Sequence, residues 1–274
     1  MQRAKRPLDP AAVAKADDAF YAAHPQMIEG GTRNPISTQP DDPCAASMRE
    51  EWMRYYVAAG GAVDPVTLPA AKPESTTVPC QSAKQTLTEL EARRLFNELA
   101  ANKNIPFDFP PDCCFSRAHS MCRMIEQKGI ACEKIWYFDE NFGTPAEQHS
   151  LKPKKADGTP VAFPDRNGFN QAVTWRYHVA PTVKVVRADG RTEDMVMDPS
   201  LSNRPLTKNE WKQVQGNPPG AYEETSDSAA YFSSKKNGWL DEDPDLRHTC
   251  YQLEEHRRVR NARLAAEAKR ARNR

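Results

Sequence analysis

Apolar residues recur at helical spacing in three segments of the chain. The strongest pattern runs from 86 to 103, among charged residues, and predicts an amphipathic helix. Its apolar face consists of Leu87, Leu90, Leu95, Phe96 and Leu99. Weaker patterns predict helices over 11–23 and 45–59, separated by loops rich in proline and glycine.

Another helix is expected directly after a proline-broken loop. A proline pair cannot lie inside it, Asp112 is a suitable N-cap, and Gly129 ends the pattern, so we predict a helix over about 114–128. The aromatic and β-branched content of 131–138 predicts a strand after Gly129. A helix followed by a strand in this way indicates an α+β fold.

Residues 172–180 alternate as a half-buried strand does. One predicted face carries Trp175, Tyr177 and Val179, and the other carries Thr174, Arg176, His178 and Ala180. An Asp-Gly pair at 189–190 then predicts a hairpin whose second strand, 192–197, ends at Asp198.

The register of this hairpin decides whether Asp198 lies near His178. A strict two-residue turn would place Asp198 opposite Pro181, on the face away from His178. One more loop residue, or a bulge near Pro181, places Asp198 opposite Ala180, diagonal to His178 on the same face. We predict the second arrangement.

The remaining segments carry weaker patterns. Residues 139–171, including His149, predict a long surface excursion, and we expect His149 to be solvated rather than catalytic. Residues 217–245 are expected to be rich in loops, and their anchors are Tyr231, Phe232 and Trp239. The strongly basic helix that follows is expected to be solvated and to fray, although it would also suit nucleic acid, anionic lipid or an acidic partner.

We divide the chain into three parts on these patterns. Residues 1–88 hold 10 of the 23 prolines and few core-forming residues, so we interpret them as an accessory region. This region could be a pro-segment or delivery segment. It could equally be a partly ordered extension that packs on the main domain. The main domain is expected over 89–242 and the basic helical tail over 243–274.

Composition selects no class of partner. The 38 basic and 37 acidic side chains give a net charge of +1. No apolar run reaches the roughly 18 residues of a membrane span, so no span is expected. The basic N-terminus is followed by no apolar stretch, so we expect no cleaved signal peptide. Secretion or injection by another route and a cytoplasmic location both stay open.

Cysteine spacing points away from a metal site. The seven cysteines include no CxxC pair, so we expect no zinc site, and the sequence indicates no cofactor. Six could pair and leave one free, or all could be reduced. Cys114 differs from the others because it begins the predicted helix, where unpaired N–H groups and the helix dipole favour a thiolate.

Three motifs in order then give a resemblance. They are Cys114-Phe115-Ser116-Arg117-Ala118-His119, Trp175-Arg176-Tyr177-His178-Val179-Ala180 and Asp198-Pro199-Ser200-Leu201. Together they resemble the protein-glutaminase family, bacterial enzymes that deamidate glutamine side chains in proteins. The likeness covers roughly 110–215 and does not extend to the two terminal parts, and Cys113 before the nucleophile position departs from it.

The resemblance implies a fold and a set of roles. The fold would be similar to transglutaminases and papain-like enzymes, with the nucleophile helix packed on an antiparallel sheet. Cys114 would be the nucleophile, His178 the general base and then acid, and Asp198 the residue that orients His178. The implied reaction converts Gln to Glu through a Cys thioester and releases ammonia.

Several alternatives stay open at this point. A transglutaminase or a cysteine protease would use the same triad, and a non-enzymatic module binding through the basic tail is a second alternative. The expected partner is a Gln-bearing protein or peptide, with inhibition by the N-terminal region or by a separate inhibitor protein, and nucleic acid is not expected. A delivered bacterial effector, or toxin, is one role that fits.

Four further residues lie in or beside these motifs. Trp175 and Tyr177 are candidates for substrate binding, although packing in the sheet core is favoured for both. His119 lies about 140° round the helix from Cys114 and is expected to pack or hydrogen-bond. Arg117 is interpreted as a surface or ion-pairing residue, although its place in the matched motif suggests a structural role near the site.

Overall fold

The structure is a computed structural model. It describes residues 8–24, 28–29, 32–33, 43–62, 83–140, 150–155, 158–236, 238–244 and 246–273. His149 lies outside the described residues. The chain forms two compact units, Met1–Cys80 and Gln81–Arg274. None of the helices in the described ranges is both long enough and apolar enough to cross a bilayer.

The first unit is a pair of helices with a short hairpin between them in sequence. The elements are α1 (Pro10–Ala23), β1 (Ile28–Glu29), β2 (Thr32–Arg33) and α2 (Pro43–Ala58). Both helices were predicted, and both predictions are confirmed. Ala12, Ala16 and Tyr56 form the buried contact between them, because small residues on α1 let the tyrosine ring approach closely.

The second unit combines four helices with a mainly antiparallel sheet. Its helices are α3 (Glu89–Ala100), α4 (Cys114–Gln127), α5 (Lys208–Gln213) and α6 (Arg247–Arg272). Its strands are β3 (Leu87–Thr88), β4 (Glu133–Phe138), β5 (Ala162–Pro164), β6 (Asn170–Ala172), β7 (Tyr177–Val186), β8 (Thr192–Val196), β9 (Leu206–Thr207), β10 (Tyr222–Asp227), β11 (Ala230–Ser234) and β12 (Trp239–Glu242). The predicted α+β class is therefore confirmed at the level of mixed helix and antiparallel sheet.

The central sheet has six strands. Their order is β10-β4-β7-β8-β9, with β3 paired in parallel to the far end of β7. The other pairs are antiparallel. Two separate hairpins, β5–β6 and β11–β12, complete the strands of the described residues.

The hairpin β7–β8 has the register predicted from its turn. Thr182 faces Val196, and the N–H of Met197 donates to the carbonyl of Pro181 at 2.9 Å. The next residue, Asp198, therefore reaches the position opposite Ala180. The loop between the strands is longer than two residues, since β7 ends at 186 and β8 begins at 192.

The two faces of the sheet carry separate apolar clusters. Successive β4 residues point to opposite faces. On one face α4 packs against β4 and β7 through Cys114, Ala118, Trp136, Phe138 and Val179. The opposite face is covered by α5 and by the loop before α4, and its buried members include Phe109, Tyr137, Ala180, Val196 and Trp211. Helix α4 thus begins where the loop before it, residues 101–113 (the nucleophile loop), meets the middle strand β7.

Two expectations about the sheet were wrong. Strand β7 begins at Tyr177, and Trp175 instead forms an isolated bridge with Leu151. The alternation over 172–180 is therefore interrupted, and Trp175 packs with Ala180 rather than with Tyr177. The segment 139–171 is also not all surface, because Leu151 and Phe163 are buried in the core.

The segment 217–245 was expected to be rich in loops, but it contains three strands. Strand β10 pairs along its whole length with β4, and β11 pairs with β12. Pairing with an established strand overrides the low β-propensity of a sequence rich in Glu, Ser and Asp.

Helix α6 is anchored rather than solvated over its first turns, which corrects the expectation of a fraying tail. Thr249, Cys250 and Leu253 are buried. The carboxylate of Asp243 accepts hydrogen bonds from both the N–H and the hydroxyl of Thr249 at 2.6 Å. A buried carboxylate at this position stabilises the start of the helix because the first N–H groups have no intrahelical partner.

Candidate active site

The turn before α4 differs from the expected one. Its N-cap is Cys113, not Asp112, and Cys113 adopts a left-handed conformation with φ 76°. The carboxylate of Asp112 instead accepts the N–H of Cys113 at 2.6 Å. The left-handed region costs a non-glycine residue about 1–2 kcal/mol, so the surrounding contacts must hold this turn. This turn fixes the direction in which Cys114 leaves the loop.

Arg117 provides one of those contacts, which agrees with a structural role near the site and corrects its interpretation as a surface residue. Its side chain is buried. One guanidinium nitrogen donates to the carbonyl of Phe109 at 3.0 Å and to that of Asp112 at 2.6 Å. Charge-assisted hydrogen bonds to carbonyls compensate the burial of the guanidinium.

His178 and Asp198 meet as the hairpin register requires. Nε2 of His178 lies 2.8 Å from Oδ2 of Asp198, and both side chains are almost completely buried. The indole N–H of Trp211 donates to the same oxygen at 2.8 Å. The N–H of Ser200 donates to the other oxygen at 3.1 Å, and the Ser200 hydroxyl also binds it. The carboxylate is thus saturated with donors.

These donors keep Asp198 ionised. Burial alone would raise the pKa of Asp198, but the charge and hydrogen bond of His178, with Ser200 and Trp211, lower it to about 2. A carboxylate only accepts hydrogen bonds, so Nε2 of His178 must carry a proton. Nδ1 is then the basic nitrogen of the neutral ring. It is buried and has no hydrogen-bond partner in the described part of the chain.

Two tryptophans fix the plane of the imidazole. Trp175 stacks on His178 with ring centroids 4.2 Å apart and an interplanar angle of 10°. Trp211 covers it at 5.6 Å and 29°. The indole N–H of Trp175 donates to the carbonyl of Pro110 at 2.8 Å, so the same ring ties the nucleophile loop to His178.

Cys114 lies beside the residue that follows His178. The N–H of Val179 hydrogen-bonds its sulfur, and the two side chains share one apolar cluster. Burial raises the pKa of Cys114 to about 12, despite the opposing effect of Arg117. The expectation of a thiolate at the helix start is therefore wrong for the free protein. The resting group is a thiol, and a base must take its proton when it attacks.

The remaining candidates occupy different positions. Tyr177 is half-buried near Cys114. His119 is buried away from the site, as expected, where it binds the ammonium of Lys134 at 2.8 Å and the carbonyl of Asp243 at 3.1 Å. Cys113, Cys114, Cys122 and Cys132 are free thiols, which excludes the arrangement in which six of the seven cysteines are paired.

Sequence reasoning missed Trp211, although its indole binds the orienting carboxylate. Nothing in the spacing of α5 relates it to Asp198, so no local signal would have found it. Ser200 could have been found, because a residue two positions after an aspartate commonly donates its N–H to that side chain.

Part of the chain is similar to a known family and to several solved structures. The sequence profile of the family described as Glutaminase matches residues 92–215. No curated protein sequence matches the chain. The NMR structure of protein-glutaminase from Chryseobacterium proteolyticum is 23% identical with a TM-score of 0.50, over 65% of this chain and 91% of that one.

Two other solved structures are similar at comparable levels. "Crystal Structure of Protein-glutaminase" is 23% identical with a TM-score of 0.48, over 63% of this chain and 88% of that one. "Crystal structure of pro- protein-glutaminase" is 24% identical with a TM-score of 0.48, over 63% of this chain and 58% of that one.

Proposed function

We propose that this chain is a cysteine-dependent protein-glutamine deamidase, a proposal supported by the match of residues 92–215 to the family model described as Glutaminase. The observation that carries the proposal is the buried pair of His178 and Asp198, which are 2.8 Å apart. Nδ1 of His178 has no hydrogen-bond partner among the described residues, and the next residue on the same strand, Val179, binds the sulfur of Cys114. A base with one nitrogen held and the other unpaired is the arrangement that nucleophile activation requires.

The first half of the reaction forms a thioester. Nδ1 of His178 takes the thiol proton of Cys114 as the sulfur attacks the carboxamide carbon of a glutamine side chain. The tetrahedral oxyanion forms near the first N–H groups of α4, which have no intrahelical partner. His178 then returns its proton to the amide nitrogen, ammonia leaves, and the acyl group stays on sulfur.

The second half uses the same base. His178 takes a proton from water, the resulting oxygen attacks the thioester, and the thiol of Cys114 is restored with its proton. The product is a glutamate side chain. Asp198 stabilises the imidazolium at both stages, and the two tryptophan rings keep the imidazole in one plane.

Substrate contacts follow from exposure. Tyr177 is half-buried beside Cys114 and is proposed to contact the substrate. Trp175, the other candidate, is buried and stacked on His178, which favours an orienting role. The substrate remains a Gln-bearing protein or peptide in this proposal, and no cofactor is required by the chemistry. The likeness to papain-like and transglutaminase folds stays a prediction.

The test separates deamidation from the two reactions that share the thioester. Casein is incubated with the full chain, and ammonia, peptide cleavage and incorporation of a primary amine are followed together. Ammonia release with Gln-to-Glu conversion, mapped by mass spectrometry, supports the proposal. Cleavage indicates a protease, and amine incorporation as the main product indicates a transglutaminase.

The accessory role of 1–88 also stays a prediction. A chain that begins at Lys84 would release ammonia faster than the full chain if this region inhibits the enzyme. Equal rates would contradict inhibition. Delivery as an effector is tested separately, by looking for the protein inside recipient cells exposed to producing cells.

A further inference from the structure

The basic side chains of α6 are directed at the loop that leads to the nucleophile. Arg260 forms an ion pair with Asp108 at 2.7 Å, and Arg263 lies over the ring of Phe109. Arg257 donates to Asn104 at 3.4 Å. The helix therefore follows the approach loop and contacts it at several successive points.

His256 contacts the two residues that precede Cys114. Its Nε2 lies 3.6 Å from Oδ2 of Asp112, and its ring also hydrogen-bonds the sulfur of Cys113. Its Nδ1 lies 2.7 Å from the carbonyl of Gln252, one turn earlier in α6. The imidazole packs against Phe109 with ring centroids 5.6 Å apart.

Both ring nitrogens of His256 face acceptors. Nδ1 donates to the carbonyl of Gln252, and Nε2 faces the carboxylate of Asp112, so the surroundings favour a proton on each nitrogen and a cationic ring. Burial would lower the pKa of His256, but Asp112, Cys113 and Gln252 raise it to about 10. Other charged groups around this pair are Arg117 from α4, Glu255 on α6 and the Arg260–Asp108 pair.

The contacted turn is the strained one. Cys113 holds φ 76°, and Asp112 fixes it by accepting its N–H at 2.6 Å. His256 holds the other carboxylate oxygen of Asp112, while Arg117 holds its carbonyl at 2.6 Å. If either support is lost, the turn can relax toward an ordinary backbone conformation and change the direction in which Cys114 leaves the loop.

We propose that His256 is a positioning residue for the nucleophile, which acts through Asp112 and Cys113 and is supplied by the C-terminal helix. The inference rests on the proposed deamidase function for its kinetic test. The cation on α6 holds the turn that aims Cys114, and it touches no substrate.

The experiment compares full-length His256→Ala, His256→Gln and Asp112→Asn with the wild type and with His248→Ala, an exposed histidine on the same helix. We expect His256→Ala to lower kcat about tenfold with KM changed less than about twofold, because misaiming the nucleophile affects the chemical step rather than binding. His256→Gln, which keeps one donor, should recover part of kcat. His248→Ala should match the wild type.

A double-variant cycle tests the route of the effect. If His256 acts through Asp112, the double variant should be no slower than the slower single variant. Multiplicative losses would overturn the proposal, as would an unchanged kcat or equal changes in KM and kcat. Melting temperatures of all variants identify any loss that is due to unfolding.

A second readout does not depend on the reaction. The rate of iodoacetamide modification at Cys114, mapped by mass spectrometry, should fall about tenfold in His256→Ala because thiol attack also needs the proton to reach His178. An unchanged or faster rate would overturn the proposal. If the wild type releases no ammonia, the proposed function fails, and this modification rate alone decides the role of His256.

Discussion

Replacement of Asp198 by Asn should be less harmful than replacement by Ala, for a reason specific to this site. Oδ2 of Asp198 receives two donors, Nε2–H of His178 and the indole N–H of Trp211, each at 2.8 Å. An asparagine that placed its NH2 group there would face the indole N–H, which cannot accept a hydrogen bond. The asparagine should therefore place its oxygen toward both donors.

This orientation preserves the tautomer of His178. The amide NH2 then lies where Oδ1 was, beside the hydroxyl of Ser200, which can rotate to accept. The N–H of Ser200 loses its acceptor, but its contact of 3.1 Å is longer than the two 2.8 Å contacts that this orientation keeps. What is lost is the charge that stabilises the imidazolium. A hydrogen bond to a charged group contributes about 1.5–3 kcal/mol and a neutral one about 0.5–1.5 kcal/mol, so Asp198→Asn should cost about 1–2 kcal/mol, or about 5–30-fold in kcat.

Asp198→Ala removes both the charge and the orientation. Loss of the correct tautomer costs about 10⁴-fold in the serine protease triad, and we expect a loss of about 10³–10⁴-fold here. The assay is ammonia release at saturating protein substrate, with folded fraction checked by circular dichroism. Equal losses in the two variants would refute the argument that Trp211 selects the asparagine orientation.

Trp211→Phe supplies the matched control. Without the indole N–H, the asparagine of Asp198→Asn is free to turn its NH2 group to Nε2, which would leave the proton on Nδ1 of His178. The kcat of the double variant should then fall to that of Asp198→Ala, a much larger loss than the two single losses multiplied together. A double variant at the product of the single losses would contradict this mechanism.

Three other predictions follow from buried groups. Arg117→Lys should lower stability by about 2 kcal/mol, because the lysine nitrogen lies one bond closer to Cα than the guanidinium nitrogen that binds the carbonyls of Phe109 and Asp112, and because an ammonium is more strongly hydrated. Thermal unfolding beside the exposed control Arg258→Lys measures the loss. Lys134 is fully buried, and burial lowers its pKa from 10.5 to about 8, so the unfolded chain binds more protons between these values. Its contribution to the free energy of unfolding should rise over that range, and the melting temperature of wild type relative to Lys134→Met should rise with it; a constant difference would contradict the burial argument. Tyr177→Ala should raise KM more than it lowers kcat if the ring contacts substrate, and an unchanged KM would leave it with a packing role only.

The hairpin that joins His178 to Asp198 could be predicted because its register depends on local features. An Asp-Gly turn and a two-residue side-chain period leave two registers, and only one brings the two residues to the same face. The start of α4 at Cys114 was likewise readable from the prolines and Gly129 that flank it. Local chemistry therefore located the hairpin and the start of α4, which carry Cys114, His178 and Asp198.

The roles that could not be predicted from sequence depend on contacts between distant segments. Trp211 reaches Asp198 from α5, and His256 reaches Asp112 from α6, in each case with no sequence spacing that relates the pair. Arg117 looked like a surface residue because charged side chains on helices are usually exposed. The carbonyls that bind its guanidinium come within reach only once the nucleophile loop folds back on α4.

The thiolate expectation failed for a related reason. The start of a helix favours an anion, but this start lies under apolar residues from two strands, and burial of the sulfur outweighs that effect. The sequence places Cys114 at a helix start without revealing how deeply that start is covered.

The central claim is that the thiol of Cys114 attacks a glutamine carboxamide. Its most direct test is ammonia release from casein by the full chain, by Cys114→Ala and by Cys132→Ser, which removes a half-exposed free thiol that is not part of the site. The account predicts ammonia from the wild type and from Cys132→Ser, none from Cys114→Ala, and glutamate at the mapped glutamine positions. Ammonia from Cys114→Ala at the wild-type rate would contradict it.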